Sequence, residues 1–224
     1  MIFFLYRSQC VENDPNEDQN GKQEKQAEEP FTLNTGISSG NSSTDQDVFF
    51  GEDSKAQERR IRSQSPFGDL KTWRTLPMIV KTGADMKEEQ FAVQLISQFD
   101  QIFKEERLKL ILTPYEIVSL GPDVGLVEVI QDAVTLSNLK EKLYQQNIPT
   151  LNKFFEQYYG KDDLKARKRF CRSLAAYSLI CYFLQIKDRH NGNIFLHKSG
   201  HIIHIDFGFF LSNAPGKIGA RTLC

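Results

Sequence analysis

The 224-residue sequence predicts an α+β fold in two lobes, preceded by a disordered segment. Three observations predict it. From about Cys10 to Asp47 the chain is rich in Asn, Asp, Gln, Glu, Ser and Gly, with few apolar anchors. Such a segment cannot bury enough surface to offset its ordering entropy. From Val48 a strand–helix–strand–strand order then implies a small antiparallel sheet backed by one helix. Beyond it, three helical patterns and an apolar hairpin imply a mostly helical second lobe. The boundaries drawn this way are 1–47, 48–135 and 136–224.

In order, Glu58-Arg59-Arg60-Ile61-Arg62 reads as a short basic helix, stopped by the turn signal Ser65-Pro66-Phe67-Gly68. Leu76 to Lys81 reads as a strand, its proline tolerable at an edge. Asp85 stands where an N-cap belongs, with Glu88 three residues on to complete a capping box. The helix it opens carries Phe91, Leu95, Phe99, Ile102 and Phe103 at helical spacing and runs to about Glu106. Strands follow around Tyr115–Leu120 and Gly125–Ile130, separated by the Gly121-Pro122-Asp123 turn. Helices are expected over Ser137–Gln145, Thr150–Tyr159 and Asp163–Ile186. In the last, Phe170, Leu174, Tyr177, Cys181 and Leu184 share one face. Short strands Asn193–Leu196 and Ile202–Ile205 bracket a Lys198-Ser199-Gly200 turn.

Composition narrows the function classes. The net charge of −1, with 25% charged residues, argues against wholesale nucleic-acid binding. The four cysteines, Cys10, Cys171, Cys181 and Cys224, match no zinc spacing and read as reduced thiols in a cytoplasmic protein. Met1 to Tyr6 resembles the start of a signal sequence but lacks a basic region before it and a cleavage pattern after it. No apolar stretch approaches the roughly 18 residues needed to cross a bilayer. Any meeting with membrane is therefore expected to be peripheral, from the cytosolic face.

The residues that carry chemistry lie late in the chain. Asp188 is followed five residues later by Asn193, and Asp206-Phe207-Gly208 comes thirteen residues after that, across the hairpin. Antiparallel strands would set Asn193 beside Asp206, giving two oxygen ligands for a magnesium ion. An acid/base residue, a metal-binding Asn and a metal-binding Asp in this order are the parts phosphoryl transfer requires. Each element alone is weak; together, behind a long amphipathic helix, they agree across levels.

The order inside the loop is informative. Protein kinases write His-Arg-Asp, whereas this chain writes Asp188-Arg189-His190. That inversion, in Lys187-Asp188-Arg189-His190-Asn191-Gly192-Asn193-Ile194 and then His204-Ile205-Asp206-Phe207-Gly208, resembles the phosphatidylinositol 3-/4-kinase superfamily. Ile79-Val80-Lys81-Thr82-Gly83, Cys181 to Asp188 and Gly200 to Phe209 are similar to type III phosphatidylinositol 4-kinases of the beta class. The resemblance runs from about Arg59 to Gly219.

It implies a bilobal, protein-kinase-like catalytic domain with an incomplete C-terminal lobe. It also implies ATP with Mg2+ or Mn2+ as cofactors and phosphatidylinositol in membranes as substrate. Lys81 would contact the ATP phosphates, Glu89 would orient that lysine, and the backbone at Ile130 would bind adenine within a Glu128–Asp132 hinge. Asp188 and His190 would share the acid/base role, and Asn193 and Asp206 would hold the metal. Lys217 and Arg221 would meet the inositol phosphate. The family's usual Gly-Asp-Asp run after the lysine is here Gly83-Ala84-Asp85. Small-GTPase or adaptor recruiters and a Golgi or endosomal membrane are further implications. A related atypical serine/threonine kinase shares the motifs, and a non-catalytic binding fragment is a third reading, because family members continue past the sixteen residues that follow Gly208. The match at Cys181–Asp188 favours the lipid kinase. His201 and His204, three residues apart on a strand, would face opposite sides and share no metal.

Overall fold

Strand β4, Met78–Thr82, organises the larger sheet of the structure, a computed structural model that describes residues 3–5, 46–83 and 86–211. It pairs antiparallel with β6, Val124–Glu128, which pairs antiparallel with β5, Ile117–Gly121. β1, Phe3–Leu5, lies parallel on the other side of β4. The strand starts two residues later than expected because Leu76 is exposed and Pro77 has no amide to give. The Pro77 carbonyl instead accepts from Val129 N at 3.0 Å. The disorder expected over 1–47 falls mostly outside the described residues; inside them are β1 and β2, Gln46–Asp47, which hairpins with β3, Gly51–Glu52. The Asp85 cap lies outside them too. The basic helix is longer than expected and forms α1, Ser54–Gln64, with Asp53 as its N-cap.

Helix α2, Met86–Glu105, corrects one expectation. Its buried residues are Met86, Glu89, Ala92, Val93, Ile96, Asp100 and Phe103, whereas Phe91 and Ile102 of the anticipated stripe are about half exposed, at 50% and 48%. The helix carries two adjacent apolar stripes, and spacing alone cannot say which one meets the sheet. The approach there is close: a Cβ on Gly125 of β6 would sit 2.7 Å from the Met86 side chain. The aromatic stripe serves other neighbours. Phe91 lies 6.3 Å from Phe210, and Phe99 stacks on Phe183 at 6.1 Å.

The second sheet runs β7–β8–β9, all antiparallel: Ala133–Thr135, Ile194–His197 and Ile202–His204. β7 was not anticipated; three residues carry too short an alternation to be read, and their partner is about sixty positions away. Helices α3, Leu136–Gln145, α4, Leu151–Tyr158, and α5, Leu164–Phe183, each start on a capping side chain: Thr135, Thr150 and Asp163. α5 packs on the hairpin through Tyr177 of the expected stripe, stacked on His204, and through small residues that the stripe omitted. Ala166, Ser173 and Ala176 are buried, while Leu174 is 46% exposed. The hairpin comes close enough that Ile202 N donates to Ser173 Oγ at 2.9 Å. At its tip, Gly200, with φ +97°, leaves no space for a Cβ against the Ala166 backbone. The helix ends at Phe183, earlier than expected, because Gln185 turns into the left-handed region at φ +50°.

Candidate active site

The loop that follows α5 is built by two left-handed residues, Gln185 and Asp188, the latter at φ +58°. Backbone bonds lock it to the segment after β9: Lys187 N donates to Phe209 O at 2.9 Å, and Leu211 N to Leu184 O at 2.8 Å. Asn193, buried, turns its amide back on the loop and donates to Asp188 O at 3.0 Å and Asp188 Oδ2 at 3.4 Å. The β8–β9 pairing continues past the strands, since Ile205 N donates to Asn193 O at 3.1 Å. That bond sets Asn193 beside Asp206, the juxtaposition expected from the hairpin. Asp188, His190 and Asp206 are exposed. His190 Nε2 lies 3.9 Å from Asp188 Oδ2, and its Nδ1 accepts from Gly192 N at 3.0 Å, so the neutral ring carries its proton on Nε2.

From the sheet side, Lys81 on β4 reaches Glu89 on α2, with Nζ 3.1 Å from Oε2. Thus six of the expected residues, Lys81 and Glu89 on one side and Asp188, His190, Asn193 and Asp206 on the other, fall into two clusters. The bridge between them is Tyr115, which sequence reasoning missed. Its hydroxyl donates to Glu89 Oε1 at 3.1 Å and accepts from Asp206 N at 3.2 Å, and its ring stacks on Phe207. Burial first, then the Glu89 charge, pushes the phenol well above its ordinary value, so it remains a neutral donor. No local signal marks it; a tyrosine at the start of a strand reads as core. Tyr115→Phe is expected to lower unfolding stability by about 1–3 kcal/mol, because it strands a buried Glu89 oxygen. Urea unfolding of the two proteins checks this.

Arg189 is the second omission. Its guanidinium donates to the carbonyls of Lys187 at 2.8 Å, Ile205 at 2.7 Å and Asp206, and lies 5.4 Å from the Phe207 ring centroid. It therefore ties the Asp188 loop to the Asp206 loop from beneath. Burial pulls its pKa below the ordinary value. The middle position of Asp188-Arg189-His190 was visible in the sequence, but two of its three carbonyl partners, Ile205 and Asp206, lie sixteen and seventeen positions away.

The Glu128–Asp132 segment, which contains Ile130, lines two cavities through Val129, Gln131 and Asp132. One, of about 310 Å3, is bounded by Ile79, Val129, Gln131 and Ser54; the other, of about 390 Å3, by Ile130 itself, Tyr115, His197 and His201. Lys81 shares the Ile79 face of β4, two residues on. Lys217 and Arg221 lie outside the described residues. Asn193 and Asp206 offer hard oxygen donors suited to Mg2+, which fits the chemistry of the pair.

The histidines of the hairpin part as expected. His201 stacks on His197 at 4.5 Å, and His204 on Tyr177 at 4.5 Å with Cys181 Sγ 3.7 Å away. Burial pushes both His201 and His204 down to about 4. The folded pKa lies below the unfolded value near 6.5, so the folded state takes up these protons less readily. Their contribution is present above about pH 6.5 and is lost as pH falls toward 4, at up to about 1.4 kcal/mol per pH unit for each ring. The urea midpoint is expected to drop between pH 7 and pH 5, and less so in His204→Gln.

Comparison with known proteins follows the same lines. Residues 75–222 match the family described as phosphatidylinositol 3- and 4-kinase. A phosphatidylinositol 4-kinase of Dictyostelium discoideum is 49% identical over 177 residues, 77% of this chain and 15% of that protein. Phosphatidylinositol 4-kinase beta of Sorex araneus and of Mus musculus are each 43% identical over 167 residues, 73% of this chain and 20% of theirs. The chain thus spans a fifth or less of the length of these relatives. The matched region contains both clusters and the tyrosine between them, and on that breadth of identity the chain belongs to the phosphatidylinositol 3- and 4-kinase family.

Proposed function

We propose that the chain carries the catalytic region of a phosphatidylinositol 4-kinase, bilobal in the manner of protein kinases. In this reading the terminal phosphoryl group of ATP passes to the 4-hydroxyl of phosphatidylinositol, giving phosphatidylinositol 4-phosphate and ADP. The observation that carries it is the convergence of Asp188, Asn193 and Asp206 at the mouth of one hairpin, joined through Tyr115 to the Lys81–Glu89 pair.

Bound ATP supplies the phosphoryl group, and Mg2+ or Mn2+ neutralises charge on it. The protein's own part is positioning and proton handling. The Ile79 face of β4 and the backbone at Ile130 hold the adenine. Lys81, oriented by Glu89, meets the phosphates. Asn193 and Asp206 would hold the metal, the asparagine through the Oδ1 left after Nδ2 binds Asp188. The hydroxyl proton passes to the Asp188–His190 pair as the new P–O bond forms and the bond to the ADP oxygen breaks. With Nδ1 engaged by Gly192 and the ring proton on Nε2, the Asp188 carboxylate is the acceptor and His190 steadies its charge. Lys217 and Arg221 are proposed to meet the inositol phosphate.

Among the described residues no helix is long and apolar enough to cross a membrane. The substrate is a membrane lipid, so the reading places the protein peripherally on the cytosolic face, of Golgi or endosomal membranes by family resemblance. Small GTPases or adaptors would recruit it there. The test is transfer from radiolabelled ATP to phosphatidylinositol vesicles and, separately, to a protein substrate, with Asp206→Asn as the blank. Label in the lipid at the 4-position is expected. Label in the protein substrate alone would favour a serine/threonine kinase, and label equal to the blank in both would sink the enzymatic reading of this chain.

A further inference from the structure

Residues 47–54, outside the motifs, are held at four places: on α4, on α3, at the β8–β9 turn and at Asp132. Asp47 folds its own turn, its Oδ1 accepting from Phe49 N at 2.9 Å, while its Oδ2 accepts from the Tyr158 hydroxyl of α4. Phe49 packs edge-on against Phe154 at 4.9 Å, and Phe50 lies 5.3 Å from Tyr158. Lys142 of α3 donates to the Phe49 carbonyl at 2.8 Å. Lys198, at the β8–β9 turn, lies 3.5 Å from Asp53 Oδ2. The last attachment is the most directed. Ser54 gives both its amide, at 2.9 Å, and its hydroxyl, at 2.6 Å, to the two carboxylate oxygens of Asp132.

Asp132 ends the Glu128–Asp132 segment. It is in the left-handed region at φ +51°, a conformation that costs about 1 kcal/mol outside glycine unless its surroundings hold it. Ser54 holds its side chain, and Lys198 N holds its carbonyl at 2.7 Å. Ser54 and Asp132 also line the 310 Å3 cavity together with Ile79, so the same contact shapes the space and fixes the backbone beside it.

From this we infer that residues 47–54 form a strap whose Ser54–Asp132 contact positions the nucleotide-binding segment, making Ser54 and Asp132 positioning residues for ATP. The inference rests on the proposal that the Ile79 face of β4 and the Glu128–Asp132 segment hold the adenine. Freed from the strap, the segment samples other conformations, and the apparent affinity falls by the fraction of time the competent one is populated. The strap's anchors on α3, α4 and the hairpin make it a brace against the helical part of the chain, so the segment is held from both sides.

The test compares wild type, Ser54→Ala and Ser54→Thr in the full chain, reading amide hydrogen exchange over residues 128–134 without nucleotide and Mg-ATP affinity by calorimetry. Ser54→Ala is expected to speed exchange in that segment and weaken ATP binding about fivefold. Ser54→Thr, which keeps the hydroxyl, is expected to restore both. Unchanged exchange in Ser54→Ala would overturn the strap itself. Faster exchange with unchanged ATP affinity would overturn its positioning role. Faster exchange in Ser54→Ala, with a wild-type chain that binds no ATP at all, would instead overturn the adenine reading, leaving the clamp in place.

Discussion

Asp206→Asn is expected to reduce phosphate transfer to phosphatidylinositol vesicles by at least about a hundredfold while leaving unfolding stability within about 0.5 kcal/mol. The choice of asparagine matters. Asp206 sits at φ +59°, a conformation that asparagine tolerates and alanine does not. Its amide bond to Tyr115 and its carbonyl bond to Arg189 come from the backbone and survive the change. What is lost is one negative charge on an exposed carboxylate beside Asn193. A stability loss comparable to the activity loss would mean that Asp206 is a fold residue, and the metal assignment would fail. Asp206→Ala adds about 1 kcal/mol of backbone strain to the same charge loss, so the two variants together separate strain from chemistry. Rates at saturating Mg2+, with urea midpoints measured on the same preparations, decide it.

The largest expected stability effect lies elsewhere. Phe154 of α4 is fully buried and meets Phe49, Phe50, Phe155, Tyr158 and Tyr159 within one aromatic cluster. Phe154→Ala removes the ring from the centre of the cluster and leaves a cavity that the flanking rings cannot close without abandoning their present packing on one another. The expected cost is about 3–5 kcal/mol, a large part of the stability of an ordinary domain. Phe154→Leu, which keeps most of the volume, is expected to cost clearly less. Because Phe49 and Phe50 belong to the strap, the alanine variant is also expected to raise hydrogen exchange over residues 47–54. A loss under 1 kcal/mol would show the cluster to be peripheral to the fold.

Much of the element order was legible because periodicity is local. β4, β5, β6, helices α2 to α5 and the β8–β9 hairpin were all read within a few residues of their ends, since an apolar run at helical or alternating spacing needs no distant partner. What failed depended on a neighbour from far away. β7 exists because β8 pairs with it. The buried face of α2 is set by the close approach of Gly125 to Met86, and that of α5, which keeps Tyr177 and Leu184 of the expected stripe, is extended by the hairpin lying on Ala166 and Ser173. Small residues carry those contacts, and a hydrophobic count passes over them.

The candidate site divides the same way. Asp188, Asn193 and Asp206 were legible from spacing, because a hairpin of known length returns its exit to its entrance. Lys81 and Glu89, eight residues apart, were placed by resemblance, and the structure brings their charges to 3.1 Å. Tyr115, Arg189, Ser54 and Asp132 were not legible as a group. Their partners lie at separations from 2 to 91 positions, and hydrogen bonds over such distances leave no pattern along the chain. By itself, then, the sequence determined which chemical groups are present, in which order and on which kind of element. Only the tertiary structure decided how those groups are held, because directed contacts between distant segments form when packing closes the chain upon itself.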